Sequence, residues 1–518
     1  MRIKFSGLVT VCAALLLSLG AARAEPRVTL TSLDGATQVE GELLGFDGQT
    51  YTVRTSLGTI GVAAAQVTCA GAGCPVRIVY GGRFAIQGSN TIGDGLMPAL
   101  IEGYADTLDA ELVRQVGAGE NQRVLRLADA NGKEIAVIEV GAHGTATAFP
   151  ALADGTAAIG LASRPMAGAE AGLPDLHDGP NEHILALGGL IVIVHPDNPV
   201  RVLTLDQIAA VFASRITSWA QLGGPEQPIS LYVRDDRSGT LEAFEAMVMA
   251  PRRLRITESA ERLEDNADLS DLVSIDPTGI GFVGFAYARA SRPLAIRQQC
   301  GLTSFPTTFD IKTEEYPLAR RLFAYGSGAA MPPHAREFLD FALSDAAQPI
   351  IAEAGFIDRG IETQGIEVQG ARLANSLTSK EEFSLPLFRE MLGELKDAGR
   401  LSLTFRFTAG SSKLEVRSQS EAERFARLLA DGSYAGKEIL LVGFTDSVGD
   451  FKVNRNLAVR RAQSVLDTLK AAVDEGALDA VPILVQSYGE LTPVGCNETA
   501  AGRQLNRRVE VWVRDKRG

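Results

Sequence analysis

Histidine is scarce in this chain. The 518 residues include five (His143, His177, His183, His195 and His334), and none stands at an HExxH or comparable spacing. CxxC pairs are missing as well, so neither a metal site nor a cofactor is expected. A Gly-x-Ser-x-Gly elbow is also lacking, and no histidine has an evident route to Ser238, which sets hydrolysis aside. Positive charge is in deficit, with a formal net charge of −13. An acidic total disfavours nucleic acid and anionic membrane as partners, and any anion site must be built locally against the overall field. No apolar run reaches the roughly 20 residues that a membrane span requires.

The residues present point to an exported chain of about three domains. Arg2 and Lys4 precede the apolar run Leu8 to Leu19, and Ala22-Arg-Ala24 offers a small-residue cleavage site, so 1–24 reads as a signal peptide. Cys12 follows Val11 inside that run, which argues against lipid attachment there. Cys69 and Cys74 enclose Ala-Gly-Ala-Gly and read as a small-loop disulfide in an oxidising compartment. Cys300 and Cys496 either pair across domains or stay free. Residues 25–80 alternate like short strands, with Asp34-Gly35 and Asp47-Gly48 as turns, giving a small all-β module without evident chemistry.

From Arg83 the pattern becomes α/β, with strands and helices alternating to about 360. A helix is expected over Ile92 to Leu108, with Pro98 inside it, and another over Ala146 to Ala153. The short buried strand Ala158 to Ala162 delivers Ser163 and Arg164, and Leu187 to Val194 is a strongly apolar strand. Thr204 and Gln207 have the spacing of a capping box at the start of a helix that runs through Phe212.

The stretch Arg234-Asp-Asp-Arg-Ser-Gly-Thr240 lies between the strand Pro228 to Val233 and a helical pattern from Leu241. A strand turning into a helix there leaves N–H donors at the first turn. With the hydroxyls of Ser238 and Thr240 and a guanidinium at Arg234 or Arg237, the turn suits an oxyanion. A plain helix cap with solvated arginines is the simpler alternative. Gly88-Ser-Asn-Thr91 and Gly144-Thr145 repeat the grammar of strand, glycine with Ser or Thr, then helix, and three such turns could together surround a tetrahedral anion.

These turns, with Ile159-Gly-Leu-Ala-Ser-Arg-Pro165 and Tyr316-Pro-Leu-Ala-Arg320, resemble the phosphate-binding periplasmic proteins of ABC uptake systems, a two-lobed fold. The resemblance covers 83–362 and implies lobe one at about 83–186 and 305–362, with lobe two at about 187–304. It implies that Ser89, Asn90, Thr91, Thr145 and Ser163 face the anion from one lobe, and Arg234, Ser238, Gly239 and Thr240 from the other. One position departs from the family. Where phosphate binders commonly carry an aspartate that accepts the proton of hydrogen phosphate, this chain has Arg164, which adds a donor and a charge and leaves the identity of the anion open.

Residues 363–400 read as a connector, with an amphipathic helix over Lys380 to Lys396 that lines up Phe383, Leu387, Met391 and Leu395. Residues 401–518 alternate strand and helix and contain Gly443-Phe-Thr-Asp446, Asn454, Leu457, Arg460-Arg-Ala462, Asn497, Gly502-Arg503 and Asn506-Arg-Arg-Val-Glu510. These spacings resemble the OmpA C-terminal peptidoglycan-binding family, an α/β sandwich. The resemblance implies that Asp446 and Arg461 hold the ammonium and carboxylate of diaminopimelate in the peptidoglycan stem peptide, with Thr445, Asn454, Leu457 and Arg508 lining the pocket. Phe444 stands where the family usually has histidine.

Together these readings give a periplasmic binding protein for phosphate or a related oxyanion, not an enzyme, anchored non-covalently to peptidoglycan near the outer membrane. An ABC transporter or a sensor would receive the anion. The alternative is a structural envelope tether whose cleft docks a protein or has lost its ligand.

Overall fold

The alternation at the N-terminus appears as a sheet in the computed structural model, which describes residues 27–516 apart from 33–36, 47–49, 57, 64–65, 72–73, 75–80, 120, 167–169, 171–180, 328–330, 379–383 and 409–410. The signal segment, both Asp-Gly turns, His177 and Phe383 lie outside the described residues. The chain divides into two compact units after Val79. In the first, five antiparallel strands run in the order Gly58–Ala63, Thr50–Thr55, Gln38–Phe46, Arg27–Ser32, Val67–Ala70. Alternate side chains Val28, Leu30, Tyr51 and Val53 form its small core, and Cys69 is bonded to Cys74.

The second unit is built on an eleven-stranded mixed sheet. Its axis is the strand Glu182–Val194, thirteen residues long and buried from Leu185 onward, so it carries no alternation. Up to Gly189 it pairs with Ala319–Gly326, and from Leu190 with Gly279–Gly284. One strand therefore runs from one lobe into the other. Lobe one continues through Ile159–Ala162, Gly82–Gly88 and Glu134–Gly141, which are mutually parallel. Lobe two adds Ser230–Arg234 and Glu261–Leu263. The chain does not rejoin lobe one at 305. Ile311, Tyr316 and Leu318 pack into lobe two's core with Val192, Phe244 and Phe282, and the return comes with Ala319–Gly326. Apolar side chains beyond 305 are what move the boundary.

Helix signals were legible in kind but not in extent. Thr204 and Gln207 form the capping box. The helix expected over 92–108 is two, Asn90–Gly95 and Met97–Thr107. Pro98 falls in the first turn of the second, where its missing N–H leaves no hydrogen bond unmade.

The last domain is a five-stranded sheet in the order Thr363–Gly365, Gly399–Arg406, Arg508–Asp515, Lys437–Phe444, Ile483–Gly489. Helices Val416–Ala430 and Phe451–Ala471 cover one face. The connector covers the other: Leu387, Phe388, Met391 and Leu395 of helix Leu385–Leu395 pack on Leu440, Val442, Tyr488 and Trp512. Residues from 363 onward thus belong to this domain.

The two-lobed part and the last domain are joined directly. Cys300 is bonded to Cys496. Arg400 forks onto Glu315, with one contact at 3.0 Å, and Arg406 donates to the Thr313 carbonyl at 2.7 Å. Arg424 reaches the Arg359 carbonyl at 2.6 Å and Asp345 at 3.2 Å. Among the described residues no helix is long and apolar enough to cross a membrane.

Candidate functional site

The strand Gly82–Gly88 ends on a glycine with φ +138°, where an added Cβ would stand 2.2 Å from the Leu161 carbonyl. That turn presents Ser89, Asn90 and Thr91, all buried. Ser89 Oγ shares a hydrogen bond of 2.5 Å with Ser163 Oγ, and the Ser163 N–H donates to Thr145 Oγ1 at 3.0 Å. From lobe two, Ser238 caps helix Gly239–Phe244, accepting from the N–H groups of Thr240 at 3.2 Å and Leu241 at 3.4 Å. The turn expected to face an anion is therefore also a helix cap.

The lobes touch at this point. Thr91 Oγ1 lies 3.1 Å from Thr240 Oγ1, and a Cβ on Gly239 would stand 2.1 Å from Thr145 Oγ1. Only glycine lets the helix come so close.

Two guanidiniums enter this polar ring. Arg234 is buried, donating to the carbonyls of Leu263 (3.3 Å) and Glu264 and to Asn90 Oδ1 (3.4 Å); its Nη1 has no partner. Arg237 is half exposed and pairs with Asp235 and Glu264, so the turn's inward charge is Arg234. The second guanidinium, Arg320, was missed as a site residue although it closes the Tyr316–Arg320 signature. It donates to Thr240 Oγ1 at 3.1 Å and to the Ser163 carbonyl at 3.5 Å, with Nε unpartnered. Burial, and then the nearby Arg234 charge, push Arg320 down to about 9. Burial likewise lowers Arg234. Among the described residues neither forms an ion pair, and both are held by neutral oxygens alone.

Arg164 corrects the expectation that it is an anion donor. Its guanidinium is held by Glu170 at 2.7 and 2.9 Å and by Glu242, and it lies 5.6 Å over the Phe149 ring. Hydrogen bonds to Glu170 raise it above the usual arginine value. Two carboxylates thus engage this guanidinium, which makes none of the cleft contacts of Arg234 and Arg320. Its bond to Glu242 instead ties lobe one to the helix of lobe two.

A second site lies in the last domain. Asp446 follows the strand Lys437–Phe444, accepting from the Val448 N–H at 3.1 Å and from Arg507 Nη1 at 2.8 Å. Arg461, on helix Phe451–Ala471, donates through Nε to the Ser411 carbonyl at 3.1 Å and lies 5.4 Å over Phe407. Among the described residues its Nη1 and Nη2 are buried without partners. Burial, then the Arg507 charge, push it down to about 10. The hydroxyl of Thr445 is also buried and unpartnered. Asn454 clamps the loop, donating to the carbonyls of Asp446 (3.3 Å) and Val448 (3.2 Å) and to Glu490 at 2.6 Å, and Leu457 is half-buried on the same helix. Arg507, unmarked in the sequence beside its neighbour, is the direct partner of Asp446.

Arg508 is the second correction. Its side chain runs inward, bonded to Glu510 at 2.8 Å and to the Thr492 carbonyl at 2.8 Å, and stacks 4.2 Å over Phe444. In a strand, adjacent residues face opposite ways, and here Arg508 belongs to the buried charge network rather than the pocket. Among the described residues the one grouping of metal-type ligands is Cys300, Cys496 and Glu498, and both sulfurs are in the disulfide.

Comparison with known proteins divides the chain in the same way. A model of the PBP superfamily domain matches residues 104–346, and a model of the OmpA family matches 406–507. The phosphate-binding protein PstS of Pseudomonas aeruginosa is 30% identical over 241 residues, 42% of this chain and 73% of that protein. Outer membrane porin F of the same organism is 36% identical over 116 residues, 22% of this chain and 31% of the porin. A solved structure of a putative phosphate ABC transporter substrate-binding protein from Clostridium perfringens, with bound phosphate, aligns at 25% identity and TM-score 0.43, over 54% of this chain and 99% of that one.

Proposed function

Because the chain belongs to the PstS family of phosphate-binding proteins and carries an OmpA-family domain after the two lobes, we propose that it captures phosphate or a related oxyanion between those lobes and is held to peptidoglycan by its last domain. The observation that carries the first half is the pair of buried guanidiniums, Arg234 and Arg320, each with an unpartnered nitrogen and set among hydroxyls from both lobes. An oxyanion there supplies the missing charge and meets the donors at once. Ser89, Thr91, Thr145, Ser163 and Thr240 complete the donor set. Relatives of the two-lobed part are binding proteins, and the proposed role is capture rather than catalysis, with an ABC transporter or sensor as recipient.

In the last domain, the unpartnered Nη1 and Nη2 of Arg461 suit a carboxylate, while Asp446 suits an ammonium that displaces Arg507. Diaminopimelate of the stem peptide carries both groups. Export to the periplasm and attachment at the wall follow from this reading.

Calorimetric titration of phosphate into protein stripped of ligand tests the cleft. Wild type is expected to bind at micromolar concentration or below, and Arg234→Ala and Arg320→Ala each to weaken binding by about a hundredfold or more, as expected when a charged hydrogen-bonding partner is removed from a buried site. Co-sedimentation with purified sacculi tests the wall domain, and retention unchanged in Asp446→Ala would sink that half.

A further inference from the structure

The cleft holds a third unpartnered buried atom besides the two guanidinium nitrogens: Asn266 Oδ1. Asn266 is fully buried at the start of helix Asn266–Ile275, just after the cap Asp265. Its Nδ2 donates to Asn90 Oδ1 at 3.2 Å and to Thr91 Oγ1 at 3.1 Å. Asn90 Oδ1 also takes Arg234, and Thr91 is bonded to Thr240, which takes Arg320. The amide is thus one hydrogen-bonded neighbour away from Arg234 and two from Arg320.

Its orientation is set by chemistry. Arginine can only donate, so the Asn90 atom that meets Arg234 is an oxygen, and the Asn90 amide nitrogen turns to Asp265 Oδ2 at 3.5 Å. Asn266 must then offer its own nitrogen to that oxygen, which leaves Oδ1 as an acceptor. The nearby carboxylates are occupied: Asp265 caps the helix, and Glu264 faces Arg237 and His143.

We propose that Asn266 reads the proton on the bound anion. Among the described residues the unmet atoms here are two donors, Arg234 Nη1 and Arg320 Nε, and one acceptor, Asn266 Oδ1. A fully deprotonated oxyanion such as sulfate satisfies the donors and leaves the acceptor facing a lone pair. An oxyanion that keeps one hydroxyl, of the hydrogen phosphate class, satisfies all three. Arg164 occupies the position where an acidic proton acceptor was expected, and it is engaged by Glu170 and Glu242; the acceptor here is instead a neutral amide on the other lobe. A neutral acceptor repels sulfate less than a carboxylate does, so the expected preference for the protonated anion is moderate.

This inference rests on the cleft reading, and one experiment separates their failures. Inorganic phosphate and sodium sulfate are each titrated at pH 8 into wild type, Asn266→Ala and Asn266→Asp, with thermal melts confirming that each is folded. Wild type is expected to prefer phosphate by about ten- to a hundredfold, the range for one unmet buried acceptor. Asn266→Ala should narrow that preference by about tenfold, mainly by losing phosphate, and Asn266→Asp should widen it by rejecting sulfate. If wild type binds phosphate but the ratio is the same in both variants, or if wild type prefers sulfate, Asn266 is not the reader and the cleft reading stands. If wild type binds neither anion, both fall. Should Asn266→Ala fail to fold, the wild-type ratio decides: no preference for phosphate over sulfate overturns the proposal.

Discussion

Arg320, Asn266 and Arg507 were not singled out from the sequence as site residues, and each takes a place in the proposed sites through its contacts. Their importance comes from partners that they lack or gain through folding, which residue type alone does not reveal. The turn after Arg234, by contrast, was legible as structure, because it combines a strand end, a hydroxyl cap and a glycine. Asp310 shows the same hidden dependence on surroundings. It lies on the short helix Thr308–Lys312, and burial, followed by the Glu315 charge, pushes its carboxyl up to about 6. A carboxyl raised in the folded state stabilises below its unfolded value, near pH 4, and that contribution is lost as pH rises through 6. Asp310→Asn is therefore expected to gain stability at neutral pH, by at most about 3 kcal/mol for a shift of roughly two units. Denaturant melts at pH 4 and pH 7.5 check this: the variant should lose less stability between the two than wild type does, and equal losses would contradict the assignment.

Helices were the elements whose place the sequence marked best, through Thr204 with Gln207, Pro98, and the Leu387, Met391 and Leu395 stripe. What the stripe packed against was not marked, because any sheet face of suitable width satisfies it. Helix Phe451–Ala471 combines both aspects. Its apolar side, with Ala458, Ala462, Val465 and Leu469, is ordinary core, yet the same buried side carries Arg461 with two unpaired nitrogens. Leaving two donors of a buried guanidinium unmet costs stability, a cost that the proposed binding role would account for. Arg461→Met keeps the volume and removes the charge. It should abolish retention on sacculi while leaving the last domain as stable as before, or more stable by about 1 kcal/mol, an unmet buried donor being worth that order. A lowered melting temperature in this variant would mean that Arg461 is a structural residue and that its open nitrogens are not a binding fork.

For the whole molecule, the decisive feature is how the last domain meets the two lobes. Its contacts fall on both sides of the crossing strands. Cys496 is bonded to Cys300 beside lobe two's strand Ala295–Arg297, while Arg424 holds Asp345 and the Arg359 carbonyl after the chain has returned to lobe one. Between them, Arg400 and Arg406 grip Glu315 and Thr313, immediately before the segment that delivers Arg320 to the cleft. Burial opposes charge on Glu315, but the Arg400 charge and hydrogen bonds prevail and keep its carboxyl below the usual range. No sequence pattern foretold this grip, since both partners read separately as ordinary charged residues, and the cysteine pairing stayed open for the same reason. Rotation of one lobe against the other would strain either the disulfide side or the Arg424 side, so the cross-link is expected to favour the arrangement of the lobes seen here. Cys300→Ser removes it. The cross-link spans 196 residues of sequence, and its loss is expected to lower stability by about 2–5 kcal/mol. Phosphate affinity should fall in parallel, because a smaller share of the molecules is closed before the anion arrives. Denaturant melts and calorimetry on oxidised wild type and the variant measure both quantities. A loss of stability with unchanged affinity would leave the bridge as a staple between domains, and a loss of both would place the OmpA-family domain among the parts that set the cleft's affinity.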